Sequence, residues 1–223
     1  MAGHRSLGRR MKQTSLRTKK RSEASIIAAG GRICDWLPIL ERRGLRNRED
    51  IVARALILNA LLNIFFGAPI KVVSKWIAKH GLVPHLSKRE RALLKKDEAK
   101  LTETKKTEIY WSIEALWCLM WVGRLIDALP FDSAVGDNMA SLCPNLERDE
   151  GPEKFSQQMS LRPEPEVFAA LDLHYRLHWW TRDADLNGYE TGNVQLDIIM
   201  ERRKALEWAM DAECDWDDVP DHT

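Results

Sequence analysis

Carboxylates, guanidinium groups and imidazoles gather in the second half of the sequence. Asp172, Arg176 and Trp179 follow one another at spacings of four and three, which puts them on one face of a helix. His174 and His178 sit four apart on a neighbouring face. Further on, Glu201, Arg202 and Lys204 interrupt an apolar pattern of Ile198, Ile199, Ala205, Leu206 and Trp208. Glu114 stands earlier, alone in an apolar stretch.

Each set suggests a chemistry and a plainer alternative. Two imidazoles at i and i+4 can grip one divalent ion, with Asp172, Glu166 or Glu201 as a third ligand. The zinc-protease pattern is absent, because Tyr175 and Arg176 fill the positions between the two histidines. The reading favoured is a pair of partly buried, hydrogen-bonding histidines, with no metal assigned and His174 and His178 the only candidates. A carboxylate buried at Glu114 must be paired or protonated. Its natural partners are Arg176 and Arg202, in a structural bridge tying three helices together. The catalytic alternative is a general acid or base at Glu114. It would converge with Asp172, Arg176, His178 and Glu201 between three helices, with or without a divalent metal. Asp172 and Arg176 also suit an ion pair with each other. Arg162, Glu166, Trp179 and Arg202 are the candidate binding residues.

Other templates fail. The sequence holds no GxSxG, no GxxxxGK[ST] and no glycine-rich turn opening a helix after a strand. No cofactor is implied. Cys34, Cys118, Cys143 and Cys214 are too far apart for a zinc knuckle and read as reduced thiols.

These residues need helices to hold them. The organising stretch is 109–129, IYWSIEALWCLMWVGRLIDAL, apolar on nearly every face and rich in Trp. A helix of that kind is normally the buried centre of a larger helical protein. It is long enough to cross a bilayer, but Glu114, Arg124 and Asp127 lie within it, so a core helix and no membrane partner are expected. Around it the pattern predicts helices over 15–29, 47–66, 70–79, 87–100, from 163 to about 185, and 193–212. Asn47 is a predicted N-cap, and Ser87 with Glu90 a predicted capping box. Thr102 or Thr104 begins the central helix and Pro130 stops it. Residues 130–162, punctuated by Pro and Gly, read as a long loop with one short helix near 137–143. Trp216, in an acidic tail, reads as a plug into the body. No strand ladder or repeat is evident. The fold expected is all-α, one globular domain of six to eight helices around a buried central helix.

The chain has 223 residues and 44% apolar side chains, enough for one domain with a sizeable core. A net charge of +1 conceals a basic head and an acidic end. Residues 1–16 are expected to be a disordered basic extension to a domain over 17–223, and nucleic acid could be met only through that head. An Arg-rich, acid-free start also suits a mitochondrial transit peptide, but the following Lys-Lys-Arg-Ser-Glu run reads as a helix under way.

A series of short motifs then stands out in order. Ala53-Arg54-Ala55-Leu56 comes first, then Glu114-Ala115-Leu116-Trp117 and Leu119-Met120-Trp121. Arg162-Pro163, Glu166 and Leu171-Asp172-Leu173-His174-Tyr175-Arg176-Leu177-His178-Trp179 follow. Glu201-Arg202-Arg203-Lys204-Ala205-Leu206-Glu207-Trp208, Trp216-Asp217-Asp218-Val219 and Asp221-His222-Thr223 close the series. The series resembles the domain of unknown function 4272 family, a bacterial group, over about 17–223. The resemblance implies a soluble α-helical domain and transfers no catalytic residue. The expectation is a bacterial cytoplasmic protein, a non-catalytic, adaptor- or immunity-like module for an unidentified protein partner. The alternative is a small all-α enzyme using the carboxylate, histidine and arginine set.

Overall fold

The computed structural model describes residues 2–97 and 101–220. The closing Asp221-His222-Thr223 motif and the last residues of the expected 87–100 helix lie outside them. Among the described residues there are helices and turns and no strand. The helices are α1 (Ala2–Ala28), α2 (Arg48–Phe65), α3 (Ile70–Lys79), α4 (Lys88–Leu93), α5 (Glu103–Val122), α6 (Met139–Leu142), α7 (Glu153–Gln158), α8 (Glu164–Asn187) and α9 (Leu196–Ala209). Single 3-10 turns occupy Val83–His85 and Trp216–Asp218. The expected all-α domain is therefore present, with α7 as an element the sequence pattern did not reveal. One helix crosses the boundary expected between residues 16 and 17.

The helix starts are written in the residues. The Asn47 side chain accepts from the Asp50 amide at 2.8 Å, opening α2. Ser87 and Glu90 form a reciprocal box, Glu90 N donating to Ser87 Oγ at 3.3 Å and Ser87 N to Glu90 Oε2 at 2.8 Å. Thr102 caps α5 through the Lys105 amide. Pro163 precedes α8, whose first turn carries Glu164 and Glu166 at the positive end of the helix dipole. Gly188 ends α8 in the left-handed conformation, at φ 71°.

Two expected lengths are corrected. α4 stops at Leu93, because only Glu90 and Leu93 turn inward and the lysines after them have no core to meet. α5 ends at Val122 and not near residue 129. Gly123 is its C-cap, Arg124 adopts a left-handed φ of 57°, and Leu125 N reaches back to Met120 O at 2.9 Å. That is a Schellman-type ending with an arginine where glycine is usual. The apolar pattern beyond it belongs to a separate loop that packs on the same core.

The helices lie side by side in the order α3, α2, α5, α9, α8, α1. α5 thus runs between α2 and α9, and Leu116, Leu119 and Met120 are fully enclosed. Ile51, Ala55, Leu58 and Leu62 of α2 are buried in the same apolar cluster. Each such aliphatic side chain contributes about 1.5–3 kcal/mol on burial. A second apolar cluster of Ile26, Leu177, Trp180, Val194 and Ile199 joins α1, α8 and α9. Trp216 packs edge-on to Trp208, with ring centroids 5.6 Å apart, and fastens the tail to α9.

Gly31, just beyond α1, has no space for a side chain. A Cβ there would lie 2.6 Å from Ile26 Cγ2 and 2.8 Å from the Trp180 ring. Gly31→Ala is expected to lower the unfolding free energy in urea by about 1–3 kcal/mol. Gly123→Ala, whose Cβ meets the flexible end of Met159, is expected to cost less.

Candidate functional site

Glu114 sits in the middle of α5 and is 1% exposed, while Arg202 of α9 is 0% exposed. Arg202 Nε and Nη2 donate to Glu114 Oε2 at 2.9 and 2.7 Å. Two further guanidinium hydrogens go to the carbonyls of Pro130, at 2.6 Å, and Ser133, at 2.9 Å. Glu114 Oε1 accepts from the Val135 amide at 2.9 Å. The carboxylate and the guanidinium therefore saturate each other and pin the loop that follows α5. Charge-assisted bonds of this kind are strong because the site is dry. Cys118, one turn on, donates to Arg202 O at 3.6 Å, and burial pushes its thiol up to about 12, so it is no nucleophile.

Arg176 does not join this pair, contrary to the expectation from sequence. It lies on the α1 side of α8 and forks onto Asp172, Nε to Oδ2 at 3.0 Å and Nη2 to Oδ1 at 2.9 Å. The same Nη2 donates to Pro38 O at 2.9 Å, and Nη1 is 3.9 Å from Glu23 Oε1 on α1. The i, i+4 spacing decides the partner, since an Asp one turn back on the same helix already satisfies the fork. A third buried pair joins Arg54 of α2 to Glu90 of α4 at 2.6 Å, with His85 O at 2.8 Å.

The two histidines are engaged separately. His174 Nδ1 faces Ala170 O at 2.8 Å, so that nitrogen carries the proton and Nε2 is a bare acceptor, buried and without a hydrogen-bond partner. Burial pulls its pKa down to about 4. His178 Nδ1 lies 2.6 Å from Arg203 Nη1 and therefore accepts from it. Among the described residues no group of three or more His, Cys, Asp or Glu side chains is placed to hold a metal ion.

The expected binding residues have structural places. Arg162 collects the carbonyls left open past the end of α5, with Nε on Trp121 O at 2.7 Å and Nη2 on Ile126 O and Asp127 O at 3.0 and 2.9 Å. Its guanidinium also lies 4.5 Å from the Trp121 ring centroid, and Glu166 steadies it at 3.4 Å. Trp179 packs partly buried against the second apolar cluster.

Glu201 is the exception. It makes neither a hydrogen bond nor an ion pair with any described residue. It stands on the wall of a half-open cavity of about 250 Å³ between α2, α4, α5, α9 and the tail. Burial holds its carboxyl above the ordinary range, Asp197, Glu108 and Glu114 push the same way, and Lys204 opposes them. Sequence reasoning named Glu201 but missed its companions. Lys105, Glu108 and Ser112 recur at three and four on one face of α5, a helical pattern that could have shown them.

A model of the family described as Domain of unknown function (DUF4272) matches residues 18–219. No curated protein and no solved structure matches the chain.

Glu114→Gln is expected to leave the Arg202 guanidinium without a countercharge and to lower the unfolding free energy by about 3–5 kcal/mol in urea titrations. His174 adds a pH dependence. Unfolded, it binds a proton near 6.5; folded, only near 4. Stability is therefore unaffected by His174 above 6.5 and is lost progressively as pH falls towards 4, by roughly 3 kcal/mol in all. His174→Asn is expected to remove that part of the acid sensitivity, read from urea midpoints across the interval.

Proposed function

The chain belongs to the DUF4272 family, and from that membership together with its closed charge clusters we propose that it is a non-catalytic interaction module of the bacterial cytoplasm. The observation carrying this reading is the sealing of Glu114, Asp172, Arg176 and Arg202. Each carboxylate is spent on a guanidinium, and no space remains between them for a substrate. A general acid or base must reach the proton it moves, which these groups do not. The described residues also contain no helix long and apolar enough to cross a membrane.

The surface offers a contact region instead. Phe65, at the end of α2, lies 5.1 Å from Phe66 and 5.0 Å from Tyr110, which lies 5.5 Å from Trp111. Phe66 is 67% exposed and Tyr110 39%. Phe65 and Trp111 are half-buried beneath them, and aromatics grouped at a surface are the composition from which protein interfaces draw their energy. An adaptor- or immunity-like role would use this face against one protein partner.

The test is affinity capture from a bacterial lysate with the wild-type chain and a Phe66→Ser, Tyr110→Ser variant. The expected outcome is a defined protein held by the wild type and lost by the variant at an unchanged melting temperature. Capture of chaperones alone, or equal capture by both, would count against the reading.

A further inference from the structure

The cavity beside Glu201 is unlike the sealed clusters. Its floor is aliphatic, made by Leu58 and Leu61 of α2, Leu93 of α4 and Ile109 of α5. Its walls carry charge, and most of that charge is already committed. Glu90 holds Arg54 at 2.6 Å. Glu108 holds Lys105 at 2.5 Å. Asp217 of the tail accepts from the Arg89 amide at 2.8 Å. Lys204, one turn beyond Glu201, is turned onto the Trp216 ring, 4.8 Å from its centroid. Glu201 alone among the carboxylates lining the cavity has neither a hydrogen bond nor an ion pair with a described residue.

We propose that this cavity binds a small primary alkylammonium ion, with its charged head on Glu201 and its carbon chain over Leu58, Leu61, Leu93 and Ile109. A half-buried carboxylate gains most from a partner that brings a charge and several N–H donors, and an ammonium brings both. An aliphatic tail gains little from the floor, since Leu58, Leu61, Leu93 and Ile109 are each 5% exposed or less, so the ion pair with Glu201 carries the binding. The volume, about 250 Å³, is roughly eight water volumes and limits the guest to a few heavy atoms. Of the cations lining the cavity, Lys105 is held by Glu108 and Lys204 lies on the Trp216 ring, so Arg89 is the one an anion would meet, and butyrate probes it. The site is separate from the aromatic face of α2 and α5, so either assignment can fail without the other.

The groups facing Glu201 also fix a pH dependence. Asp197 and Lys204 act from α9, Glu108 and Glu114 from α5, with Arg89 of α4 and Asp217 of the tail on the same cavity wall. Burial raises the carboxyl's pKa, so it takes a proton sooner than an exposed glutamate as the solution is acidified. The ammonium then loses its countercharge, and affinity falls with pH.

The experiment is calorimetric titration of the full chain with butylammonium chloride, and with sodium butyrate as the counter-probe. Saturable binding of butylammonium and none of butyrate is expected. Glu201→Gln is expected to weaken it about tenfold or more. Lys204→Met, which removes the competing cation and keeps the carboxylate, is expected to tighten it severalfold. Absence of saturable binding, binding of butyrate at the same place, or unaltered affinity in a folded Glu201→Gln protein overturns the assignment. Should Glu201→Gln fail to fold, Lys204→Met decides, since unchanged or weaker binding there overturns it equally.

Discussion

A carboxylate enclosed in an apolar helix must find an opposite charge within hydrogen-bonding reach. Glu114 and Arg202 meet that demand together, and the arrangement of α5 and α9 depends on it. Both groups are almost fully out of water, so the pair's attraction is set against a desolvation penalty of several kcal/mol per ion. Its worth lies less in net stability than in register. Sliding α9 by one turn along α5 would strand two charges, and no purely apolar contact between the helices could forbid that slide so firmly. The extra bonds from Arg202 to Pro130 O and Ser133 O, and from Val135 N to Glu114, extend the same register to the loop.

The pattern recurs with other arginines. Arg46 donates to Trp208 O and to Cys214 O, and stacks 4.1 Å from the Trp208 ring centroid. Arg48 holds Ser156 O within α7 and Met159 O just past its end. Arg54, Arg162 and Arg176 each hold loop carbonyls as well. A planar guanidinium with five donors can serve a carboxylate and a loop carbonyl at once, which an ammonium on a flexible stem does poorly. Long irregular segments would otherwise leave peptide carbonyls unsatisfied inside the protein. Here charged side chains on the helices supply the missing donors, so residues 130–162 can follow the core closely without a strand to pair with.

Much of this was readable in the sequence where the cause is local. Asn47, Ser87 with Glu90, and Thr102 announce helix starts because a cap acts over three residues. The burial of Glu114 followed from its apolar neighbours, and Arg202 as its partner from the only long polar set available. Where the cause lies far along the chain, the reading failed. The apolar run through residue 129 gave no sign that α5 stops at Val122, since carbonyls at and beyond that end are met by Arg162, just ahead of α8. Arg176 was misplaced because one sequence shows which face a residue occupies but not which neighbour that face meets. The Glu201 cavity was half visible for the same reason. Its wall combines one face of α5 with one of α9, and only their packing puts Lys105, Glu108 and Lys204 around the same space.

The distance between the two ends of the central ion pair also has a meaning in time. Glu114 and Arg202 are separated by 88 positions. A ribosome adding about 5–20 residues per second needs roughly 4–18 s to cover that span. For that interval the newborn tryptophan-bearing helix has no α9 to lie against and no cation for its acid. Exposed apolar surface is prone to aggregate, so this helix is at greatest risk of wrong contacts while the chain is still being made.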